Sequence, residues 1–327
     1  FTRQDGTFDR GVSSYQKQFV MSPETFTGEP DDGDHIQKDY FYQFRLAHEL
    51  NDSWKMTNAL SFKDVQLKGF SSEPRKIQND AQTLERQRRY RDNKSDDALF
   101  QTEFLGTVLQ DWAKHEILVS SEVGRLDYRQ LQLRRNHSSS VPNTIDIYTP
   151  VYGQYLPALP LFINTEEKQG YFALNLQNQI FLNDQWSVLM GARFDHVTQD
   201  FQNKLTHTTS KRDFNQTSPR LGLNYRINDV WSWYANYGHS FALNSGMDRY
   251  GEVFDPEKGK SYEIGSKYQI HPQSVLSVAL FKMLKENVLT TDPTDSNYQV
   301  TAGEVSSKGI EIDLASQLND QFSLRAN

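Results

Sequence analysis

The residues of this chain best placed for chemistry are aromatic. Tyr148, Tyr152, Tyr155 and Phe162 crowd into the stretch between Arg129 and Glu166. Aromatic side chains give a large contact area with a polar handle at small entropic cost, so the set suits contact with the outside of a bound ligand. The same four suit self-packing of a loop around Pro150, Pro157 and Pro160. Tyr15, Phe19 and Phe26 form a second, sparser set. Bond-making chemistry has no comparable constellation. The sequence has no Gly-x-Ser-x-Gly, no His-Glu-x-x-His and no phosphate-binding glycine loop, so it reads as no enzyme. The eight His are scattered, and His115, near a turn, reads as interfacial rather than as a metal ligand. Glu311 and Asp313 read as members of a polar wall. Cysteine is absent, which removes disulfides and thiolate metal sites. No cofactor held by side chains is expected.

The elements that must position these residues announce themselves by a recurring turn. It stands as Asn51-Asp52-Ser53-Trp54, returns degraded as Gln110-Asp111-Trp112, and is clear at Asn183-Asp184-Gln185-Trp186, Asn228-Asp229-Val230-Trp231 and Asn319-Asp320-Gln321-Phe322. His271-Pro272-Gln273 fills the missing place. Asn and Asp suit tight turns because their side chains bond local backbone and tolerate left-handed dihedrals. The flanks alternate at period two. Tyr40, Tyr42, Phe44 and Leu46 oppose Gln43, Arg45 and Glu49, and Phe172, Leu174 and Leu176 oppose Asn175 and Gln177. Ile310, Ile312 and Leu314 oppose Glu311 and Asp313.

Composition says what such strands face. Hydrophobic residues are only 36% of the chain, yet 13% are aromatic. Sparse aliphatics with rich aromatics fit strands with lipid on one side and water on the other. No apolar run is long enough to cross a bilayer as a helix, which leaves a closed barrel as the way to span. Four of the five Trp follow a turn (Trp54, Trp112, Trp186 and Trp231), as a girdle at a membrane interface requires. The reading is all-β: an antiparallel transmembrane β-barrel segment of about twelve strands, joined alternately by short turns and long loops. Pro219 conflicts with a strand there, and a bulge or strand start is expected. The acidic run Glu29 to Asp34 and the basic run Arg86 to Lys94 read as solvated loops. The sharper reading of the basic run is contact with lipopolysaccharide or an anionic ligand.

Several stretches resemble TonB-dependent siderophore receptors of the ferrichrome, or hydroxamate, type. Ile145-Asp146-Ile147-Tyr148-Thr149-Pro150-Val151-Tyr152-Gly153 is similar to their "Asn-Pro-Val-Tyr-Gly" loop, with Thr149 in place of Asn. Gly170-Tyr171-Phe172 through Gln177-Asn178-Gln179 resembles "Gly-x-Tyr-x-Gln-Asp-Gln", with Asn178 in place of Asp. Gly191 to Asp195 and Ser218 to Tyr225 resemble "Gly-x-Arg-Tyr-Asp" and "Ser-Pro-Arg-x-Gly-x-x-Tyr". The most specific stretch is Phe254 to Lys267, followed by Ala302 to Glu311. Their order spans residues 145 to 327, while the first 140 residues match only in strand character. The resemblance implies a barrel of about 22 strands with a plug in its lumen. Residues 1–327 are then expected to be a partial barrel domain without the plug or the TonB-contacting segment. It implies multi-pass residence in the bacterial outer membrane and uptake of ferric siderophore energised through TonB. The iron arrives fully coordinated, so Tyr148, Tyr152, Tyr155 and Phe162 are the candidate ligand contacts. Cobalamin or a saccharide is the alternative cargo, and a non-transporting barrel piece the structural alternative.

Overall fold

A segment whose side chains alternate in polarity satisfies both sides only when extended, and its backbone then needs neighbours. In the computed structural model, which describes residues 1–6, 9–11, 13–154, 157–295, 298–301 and 303–327, almost every ordered element is a strand. They are β1 (Thr2–Gly6), β2 (Ser14–Tyr15), β3 (Gln18–Phe19), β4 (His35–Asn51), β5 (Trp54–Ile77), β6 (Thr83–Gln110), β7 (Ala113–Asn136), β8 (Thr144–Asp146) and β9 (Leu161–Phe181). Then follow β10 (Trp186–Asn203), β11 (Thr208–Asn228), β12 (Trp231–Ala242), β13 (Glu257–His271), β14 (Ser274–Glu286), β15 (Leu289–Thr291), β16 (Gln299–Thr301), β17 (Val305–Gln317) and β18 (Ser323–Ala326). A 3-10 turn covers Pro30–Asp32. One sheet runs β1-β4-β5-β6-β7-β9-β10-β11-β12-β13-β14-β17-β18, with β8 added to β6. Each strand pairs antiparallel with the next long strand in the chain, so the topology is an up-and-down meander.

The recurring turns are the hairpins at one end of this sheet. Asn51 Oδ1 accepts the N–H of Ser53 at 2.9 Å and of Trp54 at 3.0 Å. Asn183 does the same for Gln185 and Trp186, and Asn319 for Gln321 and Phe322. The side chain thus supplies the acceptors that a reversing backbone lacks. Trp186 stacks on Tyr225 with ring centroids 4.2 Å apart, and Trp231 meets Tyr268 edge-on. These indoles form the aromatic row at the turn end. His115 lies in the same region, edge-on to Trp112 and bonded to Asn178 at 3.0 Å.

Register assigns the two faces. Phe44, Leu60, Phe100, Val123 and Phe172 stand opposite one another across β4 to β9. Met190, Leu221, Tyr237 and Tyr262 continue the row across β10 to β13, and Ile264, Leu280 and Ile310 carry it to β17. All but Tyr237 are exposed. Three residues along each strand, Thr57, Glu103, Ser120, Asn175, Arg193 and Ser218 form the opposite, polar face. An exposed apolar row of this width requires an apolar cover. On β5 it runs from Trp54 to Phe62, close to the 9–11 residues or so with which a tilted strand crosses a bilayer. Beyond it charges appear on the same face, beginning with Asp64, Asp96 and Asp127 side by side.

The strands continue far past this limit. β6 has 28 residues, which at ~3.3 Å each and a tilt of about 45° rise roughly 65 Å, about twice the hydrocarbon thickness. The long-loop expectation is therefore corrected in part. At the far end, β5 and β6 are joined by residues 78–82 alone and β10 and β11 by 204–207, while 137–160, 243–256 and 287–304 are long connections. Pro219 is neither a bulge nor a strand start. It lies inside β11 opposite Ala192, and the ladder from β11 to β12 begins only at Arg220. A residue without an N–H donor thus stands where one ladder stops.

Leu60→Arg places a charge in the middle of the apolar row and is expected to destabilise the bilayer-inserted protein by about 2–4 kcal/mol. Gln101→Arg, on the polar face, is expected to change it by less than about 0.5 kcal/mol. Urea unfolding of the full-length protein from vesicles measures both, and equal costs would contradict the face assignment.

Candidate functional site

The candidate ligand-contact residues lie at the far end, opposite the Asn turns, where three stretches of chain meet. Leu84 and Ile147 are almost wholly buried and pack with Met21, Ile77 and Ile145. Burying such a side chain contributes about 1.5–3 kcal/mol each. Arg86 is beside them, 1% exposed. Its guanidinium donates to Glu29 at 2.6 Å, to the Gly28 carbonyl at 2.9 Å and to the Thr144 carbonyl at 3.3 Å. Glu29 accepts a further bond from the N–H of Gly153 at 2.9 Å. Gly153 has φ +78°, a left-handed backbone that a side chain would strain. One ion pair therefore ties residues 27–29 to β6, β8 and the loop after β8.

This overturns the solvated reading of the charged runs. The basic run is part of β6, and its partner is the acidic run. Arg88 meets Asp32 at 2.5 Å, and Ser72 donates to the same carboxylate at 2.8 Å. On the other face Glu73, 3% exposed at its side chain, takes Arg91 at 2.6 Å, Arg10 at 3.1 Å and Arg89 at 3.6 Å. Burial pushes the Glu73 carboxyl up. The hydrogen bond and charge of Arg91, the charge of Arg89 and the Ser71 hydroxyl outweigh that and hold it below the usual carboxylate range.

The expected contact residues divide. Tyr152 belongs to the packed lobe: its hydroxyl donates to the Phe26 carbonyl at 2.8 Å, and its ring lies 6.4 Å from that of Phe26. Tyr15 packs on the same cluster, so members of the two aromatic sets meet there. Phe19 does not join them and is 81% exposed. Tyr148 is exposed on a turn whose N–H groups bond Asp146. Phe162 lies apart, with the Arg134 guanidinium 3.1 Å above its ring. Tyr155 lies outside the described residues.

A second far-end region had no sequence signal beyond the family-like stretch that follows it. Glu167 on β9 is 2% exposed and accepts from Gln199 at 2.6 Å, Gln169 at 2.7 Å and Ser245. Gln199 also donates to the Asn244 carbonyl at 3.0 Å. Phe201, Phe214 and Val253 form a small core beside them. Residues 243–256 are thereby latched onto β10 and β11. Gln199 and Glu167 share the alternation of Arg193 and Asn175 and so stand on the polar face, where nothing local marks them as buried. No group of His, Asp or Glu able to hold a metal occurs among the described residues.

Comparison with known proteins agrees with this geometry. The family model described as "TonB dependent receptor-like, beta-barrel" matches residues 1–327. A metal-pseudopaline receptor of Pseudomonas aeruginosa is 35% identical over 98% of the chain, which spans 46% of that relative's length. A ferrichrome outer membrane transporter/phage receptor of Escherichia coli is 35% identical over 46% of the chain and 21% of its own length. Among solved structures, the siderophore receptor PiuA from Acinetobacter baumannii superposes with a TM-score of 0.83 at 16% identity, covering 97% of this chain and 51% of that one. That likeness bears on the fold alone.

Removing one partner of a buried ion pair strands the other, so Arg86→Gln is expected to cost about 3–5 kcal/mol, read by chemical denaturation of the full-length protein. The lowered Glu73 value gives a pH dependence. The stabilisation is complete above the ordinary carboxylate range and is lost as pH falls through the depressed value. Thermal unfolding is therefore expected to differ between wild type and Glu73→Gln at pH 7 and 5, and to converge in stronger acid. A difference that persists at pH 2 would contradict it.

Proposed function

We propose that this chain, which belongs to the TonB-dependent receptor-like β-barrel family, is wall and outer mouth of an outer-membrane receptor that takes up a ferric siderophore, or a like metal chelate, with energy delivered through TonB. The observation that carries the reading is the two-faced meander: an apolar row sized to a bilayer, a polar wall behind it, and strands that rise well beyond it. Relatives named for ferrichrome, ferrioxamine B and metal-pseudopaline support a chelate as cargo. The iron is cargo, coordinated by the chelate, and the receptor needs no resident cofactor. Tyr148 and Phe162 are the aromatic contacts for the chelate surface, because both are exposed at the far end. Tyr152 acts by holding the loop that presents Tyr148, since its hydroxyl is engaged by Phe26.

The full-length gene, expressed in an iron-starved host lacking its own siderophore receptors, is expected to restore growth on at least one defined ferric siderophore. Rescue by cobalamin or a saccharide instead would overturn the reading. Tyr148→Ala and Phe162→Ala are each expected to weaken binding of the rescuing chelate by about tenfold, the scale of an interface aromatic. Unchanged affinity in both would remove these residues from the site.

A further inference from the structure

Two pairs of arginines face one another across β6 and β7: Arg88 opposite Arg135, and Arg89 opposite Arg134. Like charges directly opposite destabilise a sheet, so each pair needs an explanation. The first is answered within the protein. Arg88 meets Asp32, and Arg135 donates to the Ala158 carbonyl at 2.5 Å.

The second pair is answered only in part. Arg89 donates through Nε to the Gln87 side-chain oxygen and lies 3.6 Å from Glu73, but that one carboxylate is already shared with Arg91 and Arg10. Arg134 has no ion-pair partner among the described residues. Its guanidinium lies over the ring of Phe162. Stacking occupies a face of the guanidinium and leaves its in-plane N–H donors directed outward, as bidentate recognition of a carboxylate or phosphate requires. Arg75, exposed at the β5 bulge, adds a further positive charge to the same region. Burial first, and then the neighbouring arginines, press the Arg134 guanidinium down.

Position selects the kind of anion. Arg134 is an even number of residues along β7 from Ser120 and Glu122, and so shares the polar face and not the apolar row. A lipid phosphate would reach the apolar side; a soluble ligand entering from the far end meets the polar side. We infer that Arg89 and Arg134, held by Phe162, form an anion subsite, and that the chelate recognised here carries free carboxylate groups. The inference rests on the receptor reading above and adds the charge class of its ligand. It also gives the like-charge pair a purpose, since the repulsion is relieved when the anion binds.

The test uses the purified full-length receptor in detergent, with ferric citrate as a carboxylate probe and ferrioxamine B as a chelate without carboxylates. Wild type is expected to bind ferric citrate saturably, and more weakly as salt is raised. The double variant Arg89→Gln/Arg134→Gln is expected to lose at least about tenfold in that affinity, while Arg134→Gln alone, which leaves the Arg89–Glu73 contact intact, is expected to keep its unfolding temperature level or raise it because a repulsion has gone. Arg134→Lys is expected to fall between wild type and the double variant in affinity. No saturable binding in wild type, or equal affinity in the double variant, overturns the subsite. An Arg134→Gln variant that unfolds earlier also overturns it, because that arginine is then structural. So does loss of co-purifying lipopolysaccharide with chelate affinity unchanged. Import of ferrioxamine B without citrate binding leaves the receptor reading standing and removes this inference, whereas failure of every chelate in the growth assay strikes the receptor reading itself.

Discussion

A backbone in contact with lipid has only another strand with which to satisfy its N–H and C=O groups. That constraint fixes the form of this protein. It requires long, continuous ladders, and the observed registers run without interruption through the apolar row on β5, β6, β7, β9 and β10. Irregularities are displaced to the margins. The β4–β5 and β11–β12 shifts lie at Asn turns, the β13–β14 shift lies at the His271-Pro272 turn, and the β5–β6 and β7–β9 shifts lie at Pro74 and Leu133 toward the far end. Pro219 obeys the same rule by standing where a ladder ends.

Once the ladders leave the bilayer, side chains take over the work of shaping the molecule. A sheet alone offers no reason for residues 13–34 to lie against β6 and β8. The buried Arg86–Glu29 pair supplies it, reinforced by the small apolar cluster around Leu84 and Ile147. The pair is also the reason Gly153 takes its left-handed turn, because its N–H is the second donor to Glu29. Tyr152, one residue earlier, is oriented by the same turn. The Glu167 cluster does the equivalent for residues 243–256. The far end is thus two lobes, each nailed down by one buried carboxylate, with arginine-rich wall between β5 and β7.

The charges of the basic run illustrate why burial and pairing must be known before charge is read. Arg86 and Arg88 are spent on holding the fold, and Arg91 is engaged with Glu73. Arg89 must share Glu73 with Arg91, and Arg134 lies over the Phe162 ring with no ion pair among the described residues, which is the remainder on which the inferred anion subsite rests.

The sequence by itself determined the meander. Period-two alternation, an Asn that caps most of the near-end turns and an aromatic residue after it are local patterns, and they located those hairpins and the lipid-facing side, while short motifs located the family-like stretches from residue 145 onward. The tertiary structure decided what the far end does with its side chains. The partners Glu29 and Arg86 are 57 residues apart, and Ser245 and Glu167 are 78 apart, so no local spacing reports that they meet. Tyr148, Tyr152 and Phe162 look alike as a run of aromatics, yet one is exposed on a turn, one is bonded into a lobe and one supports a guanidinium. Periodicity reports which way a side chain points from its own strand, and only the register between strands reports what it points at.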